Sequence, residues 1–162
     1  LMNRKYTKAD YLNKIDMIRK YIPHIGLSSD VMVGFPTETE EDFLETVDVI
    51  KRVGYNNLFT FIYSRRSGTP ADKMEQVDIK TKKCRIRELI DLQFDIGNEE
   101  AKRCIGKTYE VLCDEWADGK AKGKSSCEKA ISFDSRENVI GRFVNVKITG
   151  TKNNQLKGEI IH

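Results

Sequence analysis

Three short segments carry residue types that could do chemistry. In DVMVGFPTE, residues 30–38, a carboxylate enters an apolar run, and a Gly-Phe-Pro turn leads into an acidic, helix-forming stretch. Ligands of α/β proteins sit at the carboxyl ends of strands, and the free amides of a following helix suit an anion or a carbonyl. The same residues also suit a turn with a purely geometric purpose. In YSRRSGTP, residues 63–70, Arg65 and Arg66 stand side by side in a Gly-Pro loop. Guanidinium forks grip carboxylates and phosphates, and a solvated loop is the competing reading. MNRKYT, residues 2–7, is by itself only a basic patch. The four cysteines, Cys84, Cys104, Cys113 and Cys127, are too widely spaced for a zinc or cluster motif. They read as reduced structural thiols of a reducing compartment, with Cys84 on a helix and Cys113 on a strand, where buried thiols are common.

The elements that must position these residues follow from periodicity. Thr7 with Asp10 forms a capping-box pair ahead of Tyr11, Leu12, Ile15, Ile18 and Ile22 at helical spacing, and Pro23 ends that run. Residues 25–35, centred on Val31-Met32-Val33, read as a buried strand of a parallel sheet. Residues 36–54 read as a helix with Phe43, Val47, Ile50 and Val53 on its buried stripe and Gly54 as its stop. Leu58 to Tyr63 reads as a second apolar strand. A long helix follows from about Asp78 to Cys104, with Ile86, Leu89, Ile90, Phe94 and Ala101 on one face. Helix, strand, helix, strand, helix is the rhythm of an α/β layer, but two strands make no stable parallel sheet alone. After Gly106 the segments become short, β-rich and punctuated by glycine, as expected of four to six strands in a small closed barrel. The boundary falls between Asn98 and Gly106, dividing the chain into 1–100, part of an α/β barrel, and 101–162, a small all-β barrel.

Composition bounds the function classes. Of 162 residues, 39% are hydrophobic and 33% charged, a balance that excludes a disordered chain. No apolar run suits a membrane helix and no leader is visible, so a cytoplasmic protein is expected. The net charge of +3 is too small to prove nucleic-acid binding by itself. From Asn98 onward 12 Lys and Arg face 10 Asp and Glu, so any basic surface must arise from spatial arrangement. The opening LMNRKYT reads as a cut from a longer protein.

Taken together, MNRKYT, SSDVMVGFPTETEEDF and FTFIYSRRSGTPADKM, in this order, resemble the radical-SAM methylthiotransferases, and FTFIYS resembles their MiaB branch. The segment from GKTYEVLCDEW to LKGEII resembles the TRAM domain that ends those enzymes. The resemblance implies a C-terminal fragment: part of a radical-SAM barrel, then a TRAM barrel. It implies that the full-length enzyme methylthiolates N6-isopentenyladenosine next to the tRNA anticodon. The alternatives are the branch acting on N6-threonylcarbamoyladenosine, the ribosomal-protein branch, or a freestanding RNA-binding module. It implies S-adenosylmethionine and two [4Fe–4S] clusters as cofactors of the full-length protein. Arg4 would face the carboxylate of S-adenosylmethionine, Ser29 and Asp30 would hydrogen-bond cofactor or substrate, and Arg65 and Arg66 would lie at the cavity mouth.

Lys120, Lys122, Lys124, Lys129, Arg142 and Lys147 would contact tRNA phosphates, with a merely solvated basic face as the competing reading. Two residues depart from the family pattern. Thr37 replaces a common glycine and would tighten the turn or cap the helix, and Arg65 replaces a proline and would loosen its loop. The cysteines of a radical-SAM cluster are missing, so no cluster, no metal site and no catalysis are expected of this fragment alone. A cut barrel is also expected to expose an apolar strand face, and so to self-associate or to cover that face with a rearranged helix.

Overall fold

The computed structural model describes Met2 and residues 4–161. Contacts divide the chain into two compact units, Leu1–Ile96 and Gly97–His162.

The first unit holds helix α1 (Lys8–Tyr21), strand β1 (Ser28–Val33), helix α2 (Glu40–Val53), strand β2 (Asn57–Ile62), a short 3₁₀ turn (Pro70–Lys73) and most of helix α3 (Ile79–Lys102). Thr7 and Asp10 close the expected capping box on α1. A second box, Thr39 with Asp42, opens α2. The helix therefore starts at Glu40, and Thr37 is not its cap. Thr37 instead sits in the preceding turn at φ +68°, and its N–H donates to the Glu75 carbonyl at 3.1 Å. That left-handed backbone is costly for a β-branched residue and free for glycine.

β1 and β2 pair in parallel, Asp30 opposite Phe59 and Met32 opposite Phe61. One face, with Val31, Val33, Leu58 and Ile62, packs into a core of Ile15, Phe43, Val47, Ile50, Val53 and Leu89. The other face is exposed, with Phe59 at 56% and Phe61 at 52%. β1 is thus not buried on both sides as its sequence suggested. The buried stripe of α3 also differs from expectation. Leu89 is fully buried, but Ile90 and Phe94 are half exposed, and Lys82 and Arg85 are buried in their place. Ile86 packs against the core and Ala101 is buried as expected, so the expectation fails at Ile90 and Phe94. Cys84 is exposed rather than packed.

The second unit is a closed five-stranded barrel of β3 (Thr108–Ala117), β4 (Lys120–Ser125), β5 (Ala130–Asp134), β6 (Phe143–Lys152) and β7 (Gln155–Ile160), in the order β3-β4-β5-β7-β6. Every neighbouring pair is antiparallel except β5 with β7. Asp118-Gly119 joins β3 to β4 and Asn153-Asn154 joins β6 to β7, with positive φ at all four residues. Two-residue loops of this kind match the twist of the strands they join. Val111, Cys113, Ala121, Ile131, Phe133, Val146, Ile148 and Leu156 fill the interior, with Ala101 and Cys104 from the end of the helical segment.

Candidate functional site

In the first unit the carboxyl ends of β1 and β2 carry a buried polar lock. Glu38 accepts the Gly34 N–H on both carboxylate oxygens at 3.0 Å. Arg85 donates to the Glu38 carboxylate at 2.7 Å and to Glu40 at 3.1 Å. The side chains of Arg85 and Glu38 keep only 7% and 12% of their surface, so this pair is largely out of water. One guanidinium nitrogen, Nε, is buried without a partner. Arg85 also lies over the Phe43 ring, 5.4 Å from its centre. Next to it the Lys82 ammonium sits 5.3 Å from the centre of the Tyr63 ring, which Phe35 meets edge-on at 5.3 Å. The Lys82 stem crosses Gly34 so closely that a Cβ there would fall 2.4 Å from Lys82 Cγ, and Gly34 has φ +74°. Any side chain at position 34 would sit on strained backbone and would have to displace the Lys82 stem. The lock fixes the turn between β1 and α2, and with it the open face of the sheet.

That face presents Asp30, Met32, Phe59 and Phe61 in two adjoining rows. Ser29 lies on the opposite, helix-covered face, where its hydroxyl is hydrogen-bonded to the Tyr55 phenol. Tyr55 also bonds Tyr11 at 2.6 Å, and burial, then that bond, push its phenol well above the usual tyrosine range. Sequence neighbours Ser29 and Asp30 therefore do not converge. Arg4 is exposed, while Asn3 of the same motif lies outside the described residues. Arg65 bonds the carboxylate and the carbonyl of Asp72, so it ties its loop to the 3₁₀ turn instead of loosening it. Arg66 is exposed, and no acidic group among the described residues pairs with it. Sequence reasoning missed Glu38, Lys82 and Arg85. The signals were a glutamate four residues after a glycine and two cations one helical turn apart.

On the barrel, Lys120, Lys122 and Lys124 alternate with buried residues and line the outside of β4. Lys129 precedes Ala130, which pairs with Lys124. Lys122 pairs across strands with Ser132, and Ser132 with Lys157, so Lys157 joins the same outer row. Its place in the alternating LKGEII could have been read from sequence. Lys147 stands apart on β6, opposite Thr108 and Glu159. Several cations have exposed partners: Lys122 with Glu115 at 2.8 Å, Lys124 with Glu128 at 3.1 Å and Arg142 with Glu137 at 3.9 Å. The hydrogen bond to Glu115 holds the Lys122 ammonium above its usual range. Exposed pairs of this kind are weak and are open to exchange for a phosphate.

No three His, Cys, Asp or Glu side chains among the described residues converge on a point that could hold a metal ion. The thiols of Cys104 and Cys113 lie in the barrel core, while Cys84 is exposed on α3 and Cys127 half-buried in a turn. These residues do not fit an iron–sulfur cluster, which needs thiolates brought together. No described helix is long and apolar enough to cross a membrane.

The TRAM domain family matches residues 102–161. Over 99% of its length the chain is 43% identical to a tRNA-2-methylthio-N(6)-dimethylallyladenosine synthase of Acetivibrio thermocellus. It is 44% identical to the enzyme of that name from Thermoanaerobacter sp. (strain X514) and 42% identical to that of Aquifex aeolicus, again over 99% of the chain. Over nearly its whole length the chain is similar to the MiaB-type tRNA methylthiotransferases. It spans about a third of the length of these curated relatives, 34%, 35% and 37% respectively.

Proposed function

We propose that this chain is the C-terminal part of a tRNA-2-methylthio-N6-dimethylallyladenosine synthase, comprising one flank of a radical-SAM barrel at 1–100 and a tRNA-holding TRAM barrel at 101–162. The identity of over 40% to enzymes of that name across both units carries this reading. In the first unit, parallel strands backed by helices leave one face free, and an aromatic pair, a thioether and the Asp30 carboxylate lie on it. Such a face suits the wall of a cavity for a nucleoside-like molecule: rings stack on Phe59 and Phe61, and a carboxylate accepts from hydroxyls. Asp30 is the stronger candidate for contact with S-adenosylmethionine or substrate, and Ser29 acts from behind the sheet. Arg4 would serve the carboxylate of the same cofactor and Arg66 the cavity rim. Cluster chemistry belongs to residues outside this chain, so this chain alone is inactive and contributes shape and binding.

In the second unit the β4 lysines, with Lys129 and Lys157, form the phosphate-facing side, and Arg142 and Lys147 add separate phosphate contacts. With nearly balanced charge over the unit, binding should be modest and driven by a few lysine–phosphate contacts. Its logarithm should fall linearly with the logarithm of salt. Titration of the chain with tRNA at two salt concentrations tests this. Undetectable binding at low salt, or binding indifferent to salt, would reduce the barrel to a structural part.

A further inference from the structure

The outward positions of β3 and β6 are mostly polar: Thr108, Glu110, Asn145 and Lys147 all face water. One cross-strand row breaks that rule. Leu112 pairs directly with Phe143 on one side and with Lys124 on the other. Phe143 keeps 66% of its surface exposed, the most of any phenylalanine among the exposed apolar residues, and Leu112 keeps 43%. Ile140, in the loop that leads into β6, adds a third exposed apolar side chain. That loop is held against β3, because the Gly141 N–H donates to the Cys113 carbonyl at 2.8 Å and the Cys113 N–H to the Arg142 carbonyl at 3.1 Å. A cross-strand Phe–Leu pair steadies a ladder, but it does not require the ring to stand in water. Phe143 also forms one wall of an open cleft of about 640 Å³, with Val139, Asn145 and Ile160. Arg142 directly precedes Phe143 in the chain and Lys124 lies across Leu112 from it, and both are engaged only by exposed glutamates.

An aromatic face beside exchangeable cations, with a cleft next to it, is the chemistry that holds an unpaired nucleotide. The base stacks on the ring and the phosphate reaches the ammonium or guanidinium. We propose that Phe143, supported by Leu112, is a base-stacking platform for an unpaired RNA nucleotide on the barrel surface. This rests on the reading of the second unit as an RNA-binding domain, and it adds a specificity for single-stranded over duplex RNA that the lysines cannot supply.

The test uses the whole chain, a single-stranded RNA octamer carrying one 2-aminopurine, and a blunt RNA duplex of matched charge. Phe143→Ala should weaken the octamer about tenfold and relieve quenching of 2-aminopurine, while leaving duplex affinity and the salt slope unchanged. Phe143→Tyr should retain wild-type binding. Lys124→Gln should instead lower the salt slope by about one phosphate contact. Circular dichroism verifies that each variant is folded. If the wild type binds neither RNA, both the platform and the RNA-binding reading fall. If the wild type binds but Phe143→Ala binds the octamer equally well, or loses duplex and octamer alike, the platform falls and the RNA-binding reading stands. A change in light-scattering mass without a change in RNA affinity would mark the row as a contact between copies and overturn the proposal.

Discussion

The sheet of Leu1–Ile96 and the barrel of Gly97–His162 meet the same hazard, unpaired strand edges, and treat it in opposite ways. In the barrel each of five strands has a neighbour on both sides, so no backbone edge remains. The sheet has only β1 and β2, so each strand has one bare edge, and one broad face displays Phe59 and Phe61. Closure leaves the barrel without an open edge, whereas the sheet keeps both an edge on each strand and an apolar face in the open. The polar content differs accordingly. The barrel keeps its ion pairs on the surface, while the sheet buries one, Glu38 with Arg85, at the end where its strands finish.

The largest expected effect concerns the open face. Light scattering should find the chain associating with rising concentration, and the double variant Phe59→Thr, Phe61→Thr should restore a monomer. A wild-type monomer at high concentration would mean that the exposed sheet is self-sufficient after all. The next effect is on stability. Glu38→Ala leaves Arg85 buried without its partner and should cost about 3–5 kcal/mol. Helix-dominated circular dichroism should report this loss in a urea titration. Trp116, the chain's one tryptophan, lies in the barrel, so its fluorescence transition should hardly move. Coincident shifts of both signals would show that the two units unfold together.

Within the barrel, Gly123→Ala would put a Cβ 2.2 Å from the Leu112 carbonyl oxygen. That clash is with backbone and should cost about 2–3 kcal/mol, this time in the Trp116 transition. The smallest effect has the opposite sign. Thr37→Gly relieves a left-handed threonine at an exposed turn and should stabilise the first unit by about 1 kcal/mol, less whatever the unfolded chain gains in freedom.

Elements were more legible in the sequence than faces were. Capping at Thr7, the α2 stripe through Phe43, Val47, Ile50 and Val53, and the five barrel strands all follow from local periodicity. The α3 stripe did so only at Ile86, Leu89 and Ala101, because the row that packs also includes Lys82 and Arg85, whose stems are apolar and whose charges are met by Tyr63 and Glu38. Hydropathy counts such residues as polar and so chose Ile90 and Phe94 instead. The lock around Gly34 was partly visible as a glycine turn. Its partner Arg85 lies 47 residues away from Glu38, and nothing local announces that the two meet. Ser29 and Asp30 looked like a pair, but the period of two in a strand sends neighbours to opposite faces. Lys120, Lys122 and Lys124 formed a row for the same reason read correctly.

The strand order of the barrel has a consequence for synthesis on the ribosome. β7 lies between β5 and β6, although it follows both in the chain. As the polypeptide emerges, β3 to β6 can assemble into an incomplete curl with a gap bordered by β5 and β6. Only when residues 155–160 leave the exit tunnel can the gap be filled, by folding back at Asn153-Asn154 against β6 and running parallel to β5. The last of the barrel's strands to be made is the keystone. Until it arrives, Ile131, Phe133, Val146 and Ile148 have an unfinished wall, and the nascent chain is at its most vulnerable to aggregation and proteolysis.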